Sequence, residues 1–175
     1  MPAHLPVPNS FIIREGLVAD IPGIMRLKLE LAISDGIVFT VRATAADWER
    51  DGFGANPRFT VFVAEQTARI IGIAICGDRY FPGWVGPTIS LLDLCVEQQH
   101  RNRGVGTALL ARVAEFAKTR DCVMIELTMR AGNRAGTLYE RAGFAEVTEI
   151  RNYVIAGDAL DRLAAAVPPP VRKAG

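Results

Sequence analysis

The sequence predicts an α/β fold, with strands of mixed direction in one sheet and helices on both of its faces. Three observations carry that prediction. An apolar run over residues 91–96 passes through a short polar turn into a helical pattern with Leu109, Leu110, Val113 and Ala117 on one face. Two apolar stretches, 61–65 and 70–76, flank Gln66-Thr67-Ala68-Arg69 at hairpin spacing. Elsewhere, short strand-like runs alternate with helical ones, and that pattern layers helices over a sheet.

Taken in order, a first strand is expected over 11–14. A helix then starts at Asp20, an N-cap residue type, with Pro22 in its first turn and Ile24, Met25, Leu27 and Leu31 along it. A second short helix spans 44–51 and ends at the glycine-rich turn 52–54. After the hairpin, 77–86 reads as an aromatic-rich loop leading to the central strand. A strand over 123–129, a helix over 135–142 and closing strands near 145–155 follow. Residues 1–10 and the proline-containing tail 167–175 read as flexible ends, which leaves a single domain over 11–166.

Composition narrows the function. The chain has 175 residues, 50% of them hydrophobic, enough for one domain with a substantial core. Lys and Arg total 20 against 19 Asp and Glu, and no basic stripe is present, so no nucleic-acid partner is expected. No apolar run approaches a membrane span, and residues 1–10 lack the basic and apolar regions of a signal peptide. Cys76, Cys95 and Cys122 are odd in number and form no CxxC, which fits a reduced, cytoplasmic protein. With His4 and His100 the only histidines, no metal site is expected.

The chemistry begins at Arg101-Asn102-Arg103-Gly104-Val105-Gly106-Thr107, between the central strand and its helix. A helix N-terminus presents unpaired amides and the positive end of its dipole. Two glycines admit a diphosphate close to the backbone, and Arg101 and Arg103 add charge. The alternative for the arginines is a solvated turn. A second motif follows downstream: Asn133-Arg-Ala-Gly-Thr-Leu138-Tyr139-Glu-Arg-Ala-Gly143-Phe144.

Together, Arg101-x-x-Gly104-x-Gly106 and Leu138-Tyr139-x-x-x-Gly143-Phe144 resemble the two signature motifs of the GNAT superfamily of acyl-CoA-dependent N-acetyltransferases. The resemblance covers about residues 11–155 and includes Ile13-Arg14-x-Gly16-x-x-x-Asp20 as the first strand and helix entry. It implies a mostly antiparallel sheet with a splayed central strand, and acetyl-CoA as co-substrate. It also implies backbone amides from Asn102 to Thr107 on the CoA pyrophosphate. Asn102 stands where the family often has Gly, and Asn tolerates positive φ. Leu94, Cys95 and Val96 would pair with the pantetheine arm, unless the strand is fully paired in the core. No acyl-cysteine is expected at Cys95, since no histidine lies at a catalytic spacing.

By the same resemblance, Tyr139 donates a proton to the departing thiolate; packing of its ring on the core is the alternative. The family's asparagine falls at Gly132 here, so Asn133 either contacts CoA one residue late or caps the following helix. Within the superfamily the chain looks most like the diamine acetyltransferases, through Trp48-Glu-Arg-Asp-Gly-Phe-Gly54, Trp84-Val-Gly86 and Leu92-Asp93-Leu-Cys-Val96. It departs from them at Leu92, Pro82 and Ser34-Asp35, where that branch carries a Glu, a loop carboxylate and a Tyr-acid pair. A polycation needs several carboxylates to offset its desolvation. The expected acceptor is therefore a smaller, less charged amine, with Asp35, Trp84 and Asp93 as its contacts and Phe39, Tyr80 and Phe81 as further lining. For Asp93, an inward structural hydrogen bond is the alternative. A homodimer follows from the resemblance alone. A non-catalytic CoA-binding module and a protein-lysine or N-terminal acetyltransferase are the competing readings.

Overall fold

The computed structural model describes residues 10–34, 36, 42–82 and 86–166. They divide into two compact units after Phe144. The first unit holds a five-stranded sheet in the order β1 (Ile12–Glu15), β2 (Thr60–Gln66), β3 (Arg69–Phe81), β4 (Gly86–Val96) and β5 (Met124–Leu127). Every neighbouring pair is antiparallel except β4 and β5, which run parallel. The mostly antiparallel mixed sheet is as the resemblance implied.

Two hydrophobic clusters cover its two faces. On one side, α3 (Val105–Thr119) sets Val105, Leu109, Leu110 and Val113 against Phe62, Ile71, Ile89 and Leu91. Gly72 of β3 permits that approach, because a Cβ there would lie 3.1 Å from both Leu109 Cδ1 and Val105 Cγ1. On the other side, α1 (Ile21–Ser34) buries Ile24 and Leu27 against Val61, Val63, Ile73 and Cys95. The helix α2 (Ala45–Phe53) adds Trp48 and Phe53 to that cluster.

Local chemistry explains the boundaries. Thr44 caps α2: its hydroxyl accepts from Asp47 N–H at 3.2 Å while the Asp47 carboxylate accepts from Thr44 N–H at 2.9 Å, a capping box. Thr67 and Ala68 turn the hairpin with φ of 51° and 58°, the two left-handed positions of a type I′ turn. Asp20 does not cap α1. It closes a 3₁₀ turn over Val18–Asp20 instead, accepting from Leu17 N–H at 2.8 Å and from both terminal nitrogens of Arg14.

Two sequence expectations are corrected. The stretch from Gly77 to Phe81 is not loop but the outer half of β3, paired with the start of β4. Its polar side chains find partners there, Asp78 with Arg120 at 2.5 Å and Arg79 with Glu126, so the extended form costs no lost polar contact. The closing strands near 145–155 are not strands. Valine, isoleucine and tyrosine give that segment strand propensity, but a strand exists only where an edge supplies a ladder, and this segment joins none. Within the second unit the regular element is the helix α5 (Asp158–Ala165). No described helix is long and apolar enough to cross a membrane.

Candidate active site

The site is built around a change of phase in β4. Cys76 pairs with Leu91 and Ile75 with Asp93, so Leu92 is an extra residue, a β-bulge. Along an undisturbed strand, Leu91 and Cys95 would share a face. Here Leu91 lies in the cluster under α3 and Cys95 in the cluster under α1. The bulge coincides with the end of β4–β5 pairing, whose last register pair is Leu91 with Leu127. Past that point β4 continues alone on its β5 side to Val96, among the described residues.

Hydrogen-bond phase decides which groups that open edge presents. Glu97 N–H donates to Ile71 O at 2.9 Å, so Glu97 is turned toward β3. By antiparallel alternation Cys95 also faces β3, while the amides and carbonyls of Leu94 and Val96 face the open edge. Cys95 was expected on that edge with them; the ladder uses its backbone elsewhere. The Cys95 thiol sits 3.4 Å from Leu27 O, and burial pushes its pKa up to about 11. It is a buried core thiol.

At the end of β4, Arg101 Nε donates to Val96 O at 2.9 Å and folds the turn back on the strand. Asn102 follows with φ of 59° and Gly104 with φ of 82°, so the conformation expected of Asn102 is realised. Val105 is buried, whereas Asn102, Arg103, Gly104 and Thr107 are exposed. The leading amides of α3 have no carbonyl one turn back to bond, which leaves them directed out of the helix. An exposed turn with two left-handed residues, arginine side chains and free helix amides fits the phosphates of a nucleotide-bearing ligand.

The second motif lies beside this turn. A Cβ on Gly106 would be 3.1 Å from Leu138 Cδ2 and 3.8 Å from Val96 Cγ2. Leu138 and Tyr139 belong to α4 (Gly136–Arg141), and both pack on the cluster under α3. The Tyr139 ring meets Phe144 edge-on at 5.7 Å. Burial, and after it the negative charge of Asp93, raises the Tyr139 pKa above that of a free phenol. Asn133 closes a short turn ahead of α4: its Oδ1 accepts from Ala135 N–H at 2.9 Å, while the N-cap position of the helix is Ala135, which no side chain caps.

Across β4, Asp93 joins a cleft of about 230 Å³ with Lys28, Trp48, Phe59, Ile75 and Leu92 among its walls. Asp93 Oδ2 is 2.6 Å from Lys28 Nζ. Asp35, Phe39 and Trp84 fall outside the described residues. Tyr80 lines a larger cleft of about 490 Å³ at the opposite end of β4, with Thr88 and Arg120, away from the other site residues. Phe81 lies beneath the Arg79 guanidinium, 4.6 Å from it.

Two features escaped sequence reading. Lys28 follows Ile24 by one helical turn, and a cation at that spacing on an apolar face was the available signal. Glu97 had no signal. It is buried at the end of β4, where Arg26 at 2.8 Å, Arg69 and Gln99 at 3.1 Å bond its carboxylate and His100 Nδ1 lies 3.0 Å away. Burial pushes its pKa up, but these donors and cations outweigh it and bring the carboxyl down to about 2. This network ties α1 and the β2–β3 hairpin to the base of the Arg101 turn.

Comparison with known proteins agrees with this geometry. The chain matches the Acetyltransferase (GNAT) family over residues 31–144. A thialysine N-epsilon-acetyltransferase of Mus musculus is 31% identical over 164 residues, 87% of this chain and 96% of the relative. A spermidine/spermine N(1)-acetyltransferase-like protein 1 of Homo sapiens is 32% identical over 138 residues, 75% of this chain, which spans only 20% of that relative. Among solved structures, an aminoglycoside N-acetyltransferase in complex with CoA shares the fold at a TM-score of 0.69 and 20% identity, covering 86% of this chain and 98% of that one. The family match extends over more than half of the chain and the mouse relative is covered almost in full, so the chain belongs to the GNAT family of acetyltransferases, with a thialysine N-epsilon-acetyltransferase and a spermidine/spermine N(1)-acetyltransferase-like protein among its relatives.

Proposed function

We propose that this acyltransferase moves an acetyl group from acetyl-CoA to the primary amine of a compact small molecule by direct attack, with no acyl-enzyme. The observation that carries this reading is the departure of β4 from β5 at Leu92, with the α3 amides at one end of the open edge and Tyr139 close by. The amine acceptors named for the thialysine and aminoglycoside enzymes support the reaction class. The CoA held by the structural neighbour supports the donor.

Acetyl-CoA, when bound, supplies the activated acetyl group as a thioester. The amides from Asn102 to Thr107, with Arg103, would hold its diphosphate. Leu94 and Val96 would pair with the pantetheine arm as an added strand, and the Val96 amide would support the oxyanion. Cys95 supports that edge only from behind, and Asn133 shapes the turn into α4. Tyr139, kept protonated by its surroundings, would hold the proton a departing thiolate needs. Binding thus does most of the catalytic work, by positioning.

The cleft beside Asp93 is the proposed acceptor site. Leu92 lines it with an apolar side chain where the diamine branch carries Glu, which supports a less cationic acceptor than spermidine. We further propose a homodimer and a cytoplasmic location. The exposed Ile150, Tyr153 and Val154 support the first, and three free cysteines support the second. Thiol release from acetyl-CoA, measured against compact amines, amino acids, polyamines and lysine peptides, tests the function. Turnover on a compact amine that is lost in Tyr139→Phe is the expected result; CoA binding without turnover on any amine overturns it.

A further inference from the structure

The acceptor cleft contains three carboxylates, and each already has a cation. Asp47 and Asp51 bond Arg50 at 2.9 and 2.6 Å, and Arg58 lies 3.5 Å from Asp51. Asp93, the one that neighbours Tyr139 electrostatically, is held by Lys28 at 2.6 Å, both side chains about three-quarters buried. Trp48, Phe59, Ile75 and Leu92 supply apolar wall between them. No described carboxylate in this cleft is left over for a second positive charge on a substrate.

An amine reaching Asp93 must compete with Lys28. A simple monoamine that wins would leave the largely buried lysine ammonium unpaired, which is costly. A diamine would add another cation beside it. A molecule bearing both an amine and a carboxylate exchanges the Lys28–Asp93 pair for two new pairs and strands no charge. We infer that Lys28 is a specificity-determining residue and that the acceptor is an amine carrying a carboxylate on the same small molecule, an amino acid or a close analogue. This inference rests on the reading of the cleft as the acceptor site.

The test compares amino acids with the diamines that differ from them by loss of the carboxylate, ornithine against putrescine and lysine against cadaverine, in the wild type, Lys28→Met and Lys28→Arg. The wild type is expected to favour the amino acid by about tenfold or more in kcat/KM, the size of one charged hydrogen bond. Lys28→Met should abolish that preference through KM, and Lys28→Arg should keep most of it. Thermal unfolding of Lys28→Met shows whether the fold survives, and the arginine variant carries the test if it does not. Turnover that ignores the carboxylate, or a preference unchanged in Lys28→Met, overturns the inference while leaving acetyl transfer intact. No turnover of any amine by a protein that binds acetyl-CoA overturns the acceptor-site reading and this inference with it.

Discussion

Gly106 and Leu138 are in such close contact that a Cβ on the glycine would lie 3.1 Å from Leu138 Cδ2. One residue belongs to the turn proposed to hold the CoA phosphates, the other precedes Tyr139. The contact therefore joins the proposed donor-binding element to the proposed acid. Gly106→Val should displace α4 and alter both functions together, raising the Kd for CoA and lowering kcat by about tenfold each, since misplacement of a few tenths of an ångström is felt strongly in positioning catalysis. Calorimetric CoA binding and steady-state kinetics on the same variant check this. A change in only one of the two would mean the elements are independent.

Tyr139→Phe should lower kcat by about 10²- to 10³-fold, within the range of general acid catalysis, and leave CoA affinity within about twofold. Burial and the Asp93 charge both disfavour the phenolate, so the proton stays on Tyr139 to higher pH than on a free phenol. The alkaline limb of the rate profile due to Tyr139 should then lie above about pH 10. In Asp93→Asn that limb should move downward.

Cys95→Ala should retain turnover, because a buried thiol with its pKa pushed up to about 11 carries almost no thiolate at neutral pH. Stability should fall by about 1 kcal/mol from the lost volume. Intact-mass spectrometry after incubation with acetyl-CoA should show no acetyl adduct on the wild type. A stoichiometric adduct that disappears in Cys95→Ala would replace direct attack by a ping-pong route.

Glu97→Gln should destabilise the fold, since it removes the charge of the carboxylate that Arg26 and Arg69 both bond. The Glu97 carboxyl is brought down from 4.5 to about 2 in the folded protein. A depressed carboxyl contributes stability that is complete above its unfolded pKa and is lost as the pH falls through the folded one. Urea unfolding should therefore show a decline between about pH 4.5 and 2 in the wild type that is smaller in Glu97→Gln.

Deleting Leu92 removes the bulge and should cause misfolding. One face change would send the residues after it to the wrong side of the sheet, Cys95 out of the α1 cluster and Leu94 and Val96 out of the α3 cluster. Circular dichroism and a lost cooperative unfolding transition would report it. Leu92→Ala keeps the backbone count and should fold.

Much of this was legible in the chain itself, because the determinants are local. The period of the apolar residues in 105–117 specified α3, and the composition of 101–107 specified a turn with left-handed residues. Family motifs around Tyr139 pointed to the reaction class. Other features depend on residues far apart in sequence, and no local pattern encodes them. The bulge at Leu92 is visible only as a register between β3 and β4. The outer half of β3 looked like loop because its polar residues have partners on Arg120 and Glu126 that only folding supplies. Segment 145–155 has strand propensity but no ladder. The pairing of Lys28 with Asp93, separated by 65 positions, was decided by α1 lying across β4. The sequence by itself determined most of the elements, the left-handed turn at Asn102 and Gly104 and the chemical family, since each rests on neighbours along the chain. Only the tertiary structure decided which backbone groups face the open edge and which charges are paired in the cleft beside Asp93, because both depend on what each residue meets across the sheet.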